Sequence, residues 1–397
     1  MPQPAGNAGR PMVVHTDFGT ELRRRRKAAG LSLSALADLV TYDKSSLSRV
    51  ESGARLPSRQ LAAACDAELG AGGELLRLAG ERARRDSGSS PGPARVHGSV
   101  PPPDDVVATF ASVFGQLRRI GQQVPPPVVL GQAAEQVRAL RSLVVPDAPE
   151  SAPVLLLAAR TAEFTGWMAQ EAGDVPLARR WTAEAVRLAA LAGDESMAAH
   201  AHVRRAGLAL YQREGLQVVA LARRAQATAP VGSRVHAQAA QREAQGHALL
   251  GDAYAVERLL DGPAVTPAAS SGPFSGGLAL GSTTVPDMDD AVAGWCFHDL
   301  GQHARAVDAL TPVVAGLPPW AARAKGRFGA RLARAQLGAG DLDAACATGL
   351  LVLSAAGPVA SATIAAELRQ LLAELGAWRR RHPPAGELNA ALGDLLG

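Results

Sequence analysis

The chain has 397 residues, 47% of them hydrophobic, and a formal net charge of +4. That length holds two or more domains with cores of their own, and that hydrophobic share excludes a disordered protein. No run approaches the roughly 20 apolar residues of a membrane span, and the N-terminus, with Pro2, Pro4 and Asn7, lacks a signal peptide's apolar core. The sequence therefore predicts a cytoplasmic protein with no membrane partner. Its charge is uneven: residues 1–85 carry fourteen Arg or Lys against nine Asp or Glu, a surplus of +5 that leaves the remainder at −1. Attraction for polyanions is thus local to the N-terminal part.

Residues 1–15, rich in Pro, Gly and Asn and without periodicity, predict a flexible arm. A first helix is expected from about Asp17 to Ala29, stopped by Gly30. Its run Arg23-Arg24-Arg25-Arg26-Lys27 wraps a full helical turn, so only some of these side chains can face one partner. Ser32 can cap a second helix with Leu36, Ala37 and Val40 turned inward, and Asp43 a third with Leu47 and Val50 facing the same core. About three or four residues join them, the connection of a helix-turn-helix. Lys44, Ser45, Ser48 and Arg49 are then left on the outer face, short, polar and cationic, as the edge of a DNA major groove requires.

From Phe18 to Leu78 the chain resembles the Cro/repressor-type (Xre-family) DNA-binding domain. Leu31, Ser32, Leu36 and Ala37 follow its Leu-Thr-Gln-Glu-Glu-Leu-Ala pattern. Ser45, Leu47, Ser48, Arg49, Val50, Glu51 and Gly53 fall on its Ser-Thr-Ile-Ser-Arg-Ile-Glu-x-Gly, and Pro57 and Ser58 on the Pro-Ser that starts the next helix. Leu33 replaces a frequent Gln, Thr41 a frequent turn Gly, and Arg25 a usually apolar residue that here has to snorkel to the surface. The resemblance implies a five-helix DNA-binding domain over residues 16–85. It also implies base contacts from Lys44, Ser45, Ser48 and Arg49, and a structural pair of Arg26 with Glu51. Beside that motif Arg23, Arg24, Arg55 and Arg59 are suited to phosphate. Leu61, Leu69, Leu75, Leu76 and Leu78 predict the last two helices of the domain.

Gly88, Pro91, Gly92, Pro93, Gly98 and Pro101 to Pro103 mark residues 86–103 as a linker that cannot hold a helix. Beyond it, residues 104–397 turn Ala- and Leu-rich with a helical period. Val106 to Ile120 and Val128 to Leu143 read as two amphipathic helices separated by Pro125-Pro126-Pro127. A turn then recurs about every 40 residues: Glu171 to Asp174, Arg213 to Gly215, Leu250 to Asp252, Leu300 to Gln302 and Leu337 to Asp341, stretched near 262–290 by a loop insertion. Small residues beside such turns let paired helices approach closely, which is how helical-hairpin arrays build a continuous core. The pattern resembles degenerate tetratricopeptide repeats, with Trp167 and Trp295 near the aromatic place, and the expected fold class is all-α throughout.

Catalytic and metal chemistry find little support. His200 and His202 lie two apart on one helix and point to different faces, His298 and His303 lie five apart, and neither spacing suits zinc. No nucleophile elbow, phosphate-cradling Gly loop or metalloprotease His pair occurs. Cys65, Cys296 and Cys346 read as small buried side chains. No enzyme, metal or cofactor is predicted. The array's inner surface is the better candidate, and Trp167, Arg204, Arg205, Tyr211, Trp295 and His298 supply aromatic and hydrogen-bonding groups for a ligand there.

The sequence thus predicts a sequence-specific transcription regulator on double-stranded DNA. One short recognition helix discriminates poorly, so a homodimer on a pseudo-palindromic operator is expected. The array would receive a peptide, small-molecule or protein effector, an architecture similar to that of peptide-responsive quorum-sensing regulators. The alternative is a scaffold whose repeats hold a partner protein while the DNA-binding domain localises it. A self-cleaving phage-like repressor would need strands and a Ser/Lys pair, and Lys325 is the one lysine beyond the linker. Arginine far outnumbers lysine and alanine is abundant, which fits a GC-rich bacterial genome.

Overall fold

The computed structural model describes residues 18–40, 44–52, 57, 59–79, 102–146, 148–261 and 279–397. Among them the regular structure is helical, with no strand. The chain divides into two compact units, Met1–Val96 and His97–Gly397. The expected arm, Thr41, the Asp43 cap, linker residues up to 101 and insertion residues 262–278 lie outside the described residues.

In the first unit α1 (Phe18–Ala28), α2 (Leu33–Leu39), α3 (Lys44–Glu51), α4 (Arg59–Glu68) and a helical run over residues 74–79, α5, surround one core. The Ala35 amide donates to Ser32 Oγ at 3.0 Å, so α2 starts where a hydroxyl replaces the missing preceding turn. Leu22, Leu36, Leu47 and Leu75 are fully buried, and Ala37, Val40 and Val50 nearly so. Leu76 departs from the expected inward set at 37% exposure, while its neighbours Leu75 and Leu78 hold the inner face of α5. Two residues that periodicity does not flag set this packing. A Cβ on Gly19 would lie 2.7 Å from the Val50 and Glu51 carbonyl oxygens, so only glycine lets α1 meet the end of α3 this closely. Buried Asp66 accepts from the Gly73 and Leu75 amides at 2.7 and 2.9 Å and so anchors the start of α5 on α4. Burial, with Glu51 nearby, pushes the Cys65 thiol up to about 12, so it is held protonated as part of the core.

The second unit is a row of helical hairpins. α6 (Asp104–Ile120) pairs with α7 (Pro126–Ser142), α8 (Ala152–Glu171) with α9 (Val175–Leu191), and α10 (Ser196–Tyr211) with α11 (Gly215–Thr228). They are followed by α12 (Arg234–Leu249) with α13 (Ala253–Leu260), α14 (Met288–Asp299) with α15 (His303–Ala315), and α16 (Ala322–Gly338) with α17 (Leu342–Ala356). Last come α18 (Ala362–Leu375) and α19 (Pro383–Leu396). Pro126 and Pro127, expected to separate helices, instead form the first turn of α7, where a missing N–H costs nothing.

All five recurring turns join the two helices of a pair. In three of them Asp174, Asp252 and Asp341 cap the second helix, accepting at 2.8, 3.0 and 3.0 Å from Leu177, Ala255 and Ala344 amides. Gly173, Gly251, Gly301 and Gly340 pass through the left-handed region at φ between +75° and +90°, and Arg213 holds the corresponding place at φ +57°. Within a hairpin the helices nearly touch: a Cβ on Gly294 would lie 2.5 Å from Leu310 Cγ. The α18/α19 hairpin lacks the recurring Gly turn and is capped by His382, whose Nδ1 accepts from the Ala385 amide at 3.3 Å. One run contradicts the expectation that none resembles a membrane span: Leu342–Val359 is 18 residues long with a mean hydropathy of 1.5. It forms α17 and the turn after it, packed on α16 and α19 with Cys346, Val352, Ala356 and Val359 buried.

The row closes on itself through Arg323, at the start of α16 and 2% exposed. Its Nε donates to Gly121 O at 2.8 Å, its Nη2 to Val124 O at 2.8 Å and Val359 O at 3.2 Å, and its backbone amide to Gln122 O at 2.9 Å. Nη1 reaches Glu171 Oε2 at 3.2 Å, and Glu171, 1% exposed, also accepts from Thr363 Oγ1 and from Ser361 Oγ. Truncating Arg323 strands Glu171 and three carbonyls away from water. The expected outcome for Arg323→Ala is a loss of about 3–5 kcal/mol in the unfolding transition of the array, measured by urea denaturation followed by circular dichroism.

Candidate nucleic-acid interface and ligand cavity

With Leu47 and Val50 buried, α3 leaves Lys44, Ser45, Ser48 and Arg49 exposed on one face. Arg49 lies back along this face, its Nε 3.3 Å from Ser45 O and its Nη2 3.4 Å from Ser45 Oγ. Both contacts are long and exposed, and a better acceptor can replace them. The basic run of α1 divides by partner. Buried Glu21 accepts from Arg24 at 2.8 and 2.6 Å and from Arg25 at 2.7 Å, and hydrogen bonding from Arg24 is the largest of the causes that hold its carboxyl near 2. Arg25 thus reaches the surface by lying along Glu21. Arg26 donates to both Glu51 oxygens, at 2.6 and 2.9 Å, and to Leu31 O at 2.8 Å, joining α1, the start of α2 and the end of α3. Arg23 and Lys27 are exposed, and neither makes an ion pair among the described residues. Arg24 is 62% exposed at its side chain although engaged with Glu21. Arg55 and the side chain of Arg59 lie outside the described residues.

In the second unit the first helices of successive hairpins line a cavity of about 700 Å³. Of the six ligand residues expected from the sequence, Trp167, Arg204 and Tyr211 stand on its wall. The other three do not. Arg205 lies one residue beyond Arg204, about 100° further round α10, and is exposed on the outside. Trp295 is buried in the core behind the wall, edge-on to Tyr211 and Phe328 at 6.1 and 6.4 Å, with the Arg331 guanidinium 3.8 Å from its ring centroid. His298 lines a separate recess of about 480 Å³ beside His303, Arg213 and Arg334. Burial first, then Arg331 and Arg334, push its imidazole down to about 2, so it stays neutral.

The sequence reading missed most of the wall. Glu163, Trp167 and Gln170 follow one stripe of α8, His200, Arg204, Gly207 and Tyr211 one of α10, Arg234, Gln238, Gln241 and Gln245 one of α12, and Trp320, Arg323 and Arg327 one at α16. The available signal was polar side chains at helical spacing on helices otherwise rich in alanine. Three side chains hold residues 280–283 against this wall: Arg234 donates to Leu280 O at 2.8 Å and Ser282 O at 2.5 Å, Gln238 to Leu280 O at 2.9 Å, and Arg118 to Gly281 O at 2.9 Å. His200 lies between Gln238 Oε1 at 3.1 Å and Glu163 Oε1 at 3.3 Å. Burial raises the Glu163 carboxyl, but the His200 hydrogen bond and the charges of Arg204 and Arg118 outweigh it and leave the group near 2. No group of three or more metal-binding side chains gathers among the described residues.

Residues 17–79 match the model of a family described as a helix-turn-helix domain, so this segment carries a helix-turn-helix domain. No curated protein and no solved structure matches the chain.

Removing the Glu51 carboxylate strands a guanidinium that is 11% exposed, so Glu51→Ala is expected to destabilise the N-terminal unit by about 1–3 kcal/mol in chemical denaturation. Glu163 gives the array an acid-sensitive component. Its folded carboxyl lies below the ordinary 4.5, so the stability it contributes is complete above pH 4.5 and is lost as the pH falls toward 2. Stability measured across that window should fall more steeply in the wild type than in Glu163→Gln.

Proposed function

We propose that the chain is a sequence-specific DNA-binding transcription regulator of the Xre type, acting in the bacterial cytoplasm by binding rather than catalysis. The observation that carries this reading is the outer face of α3. Lys44, Ser45, Ser48 and Arg49 are exposed together on the second helix of a helix-turn-helix, and Leu47 and Val50 fix that face outward by their burial. In the major groove Ser45 and Ser48 can accept or donate to base edges, Lys44 reaches a base or the adjoining phosphate, and Arg49 presents a fork suited to guanine O6 and N7. Arg23, exposed and without an ion pair among the described residues, is available to phosphate, Arg24 can share its guanidinium between Glu21 and a phosphate oxygen, and Arg55 and Arg59 follow the recognition helix as further phosphate contacts.

A helix of eight residues covers one half-site. Discrimination among genomic sites then calls for a homodimer on a pseudo-palindromic operator with half-sites about one turn apart. The hairpin array, read as tetratricopeptide-like, is proposed to receive an effector in its cavity. An effector changes DNA binding only to the extent that it favours one arrangement of the array over another.

Selection of bound sequences from a random DNA pool should enrich a two-fold-symmetric motif, and gel filtration should show a dimer. No enriched motif would remove the regulator reading and favour a scaffold. On the selected site Arg49→Ala should cost about 1–3 kcal/mol and relax one base position, whereas Arg23→Ala should weaken selected and random DNA alike and flatten the salt dependence. Equal losses from both variants on both DNAs would take Arg49 out of the readout.

A further inference from the structure

We propose that the cavity of the array binds a small anionic molecule, its carboxylate or phosphate received by Arg242 and Arg327 and its apolar body laid against Phe164 and Trp167. The inference deepens the reading of the array as an effector receiver, and its consequence for DNA rests on that reading.

The cavity wall carries eight arginines and no lysine, against two carboxylates, Glu163 and Asp289. Some of this charge is neutralised internally: Arg160 pairs with Asp194 at 2.7 Å, Arg323 with Glu171, and Arg204 lies 3.4 Å from Glu163. Arg242 and Arg327 are different. Among the described residues Arg242 donates only to the neutral Gln245 side chain, and Arg327 has no hydrogen bond or ion pair, its Nε buried without an acceptor. Arg327 instead lies 5.6 and 5.2 Å from the ring centroids of Trp295 and Phe328, contacts that position a guanidinium without discharging it.

The two arginines also oppose each other. Burial, and next the charge of Arg327, push the Arg242 guanidinium down to about 10, with Arg204 adding to the repulsion. Tyr211 lines the same cavity, and its buried hydroxyl has no hydrogen-bond partner among the described residues. Two guanidiniums with no counter-charge and a phenol with no partner among the described residues thus line one space, and burying such groups is costly. A carboxylate or phosphate satisfies all three, in the fork geometry arginine favours.

The remaining wall indicates what accompanies the anion. Phe114, Phe164 and Trp167 form a continuous aromatic surface, with ring centroids 5.9 and 5.8 Å apart. A cavity of about 700 Å³ falls in the range that encloses a small molecule and is too small for a folded partner. A cationic ligand would meet only Glu163 and Asp289, the former already tied to His200.

The test uses the full chain and four probes: indole-3-propionate, phenyl phosphate, neutral indole-3-propionamide and cationic tryptamine. Thermal melting and calorimetric titration at millimolar probe should give a raised Tm with the carboxylate, the phosphate or both, and the arm that responds identifies the anionic group. The amide should bind at least about tenfold more weakly, and tryptamine should give no shift. Arg327→Gln and Arg242→Gln relieve like-charge repulsion, so each should melt no lower than wild type while losing the anion-induced shift, and Arg327→Lys should retain part of it. No shift with either anion, a shift matched by the amide, or a full shift in both glutamine variants overturns the proposal. A shift that both glutamine variants abolish, accompanied by unchanged affinity for the selected operator, establishes the anion site and overturns the effector role of the array.

Discussion

The second unit depends on one buried ion pair. Arg323 reaches Glu171 on α8 while its other donors take the carbonyls of Gly121, Val124 and Val359, so the loop after α6 and the turn after α17 meet at one guanidinium. Burying such a group is unfavourable unless its donors find acceptors, and the ends of α6, α8 and α17 supply them: carbonyls that a helix terminus leaves unpaired, and one carboxylate. A hydrophobic contact at this point would hold the same elements together with less direction. The guanidinium fixes their angle as well, because its donors lie in one plane. The cavity follows from this closure. Its wall is drawn from α6, α8, α10, α12, α14 and α16, and the first and last of these face a common space because Arg323 joins them.

The N-terminal unit solves a smaller problem by a related device. Its core is small, and α3 is too short to be stable alone. Arg26 binds Glu51 at the end of α3 and Leu31 O before α2, and Gly19 removes the side chain that would hold α1 away. The exposed face of α3 can be wholly polar because its position is set from behind. In both units an arginine held inside the fold settles the geometry, Arg323 fully buried and Arg26 nearly so, and more exposed arginines are left for partners.

The helix-turn-helix was legible because its determinants are local. Ser32, Leu36, Ala37, Val40, Leu47 and Val50 lie within twenty residues, and their spacing assigns both helices and the outer face of α3. The turns of the array were legible for the same reason, since a left-handed residue followed by a cap leaves a mark of three or four letters. Arg213 in that place is tolerated at φ +57°, so glycine alone was an incomplete guide. The cavity was not legible. Which stripe of α10 or α12 faces inward is decided by the curvature of many hairpins, and Arg242 or Arg327 on a helix reads as an ordinary solvated side chain until its neighbours are known. The same ignorance of curvature grouped Arg205 with Arg204, and it set Trp295 and His298 on a wall they stand behind or away from. Leu342–Val359 makes the converse point, because an apolar helix in a close-packed row and a lipid-facing one share a composition.

Synthesis from the N-terminus gives the Arg323 closure an order in time. Its partner Gly121 is made 202 residues before it, so several hairpins leave the ribosome and pair locally while the guanidinium that joins their ends does not yet exist. During that interval Glu171 lacks the guanidinium that will bind it, and α8 is without α16 beside its inner stripe. Local hairpins form quickly and a contact of such separation forms last. A chain interrupted anywhere before α16 would therefore be helical yet unclosed, a species that quality control could distinguish by the inner surface it still exposes.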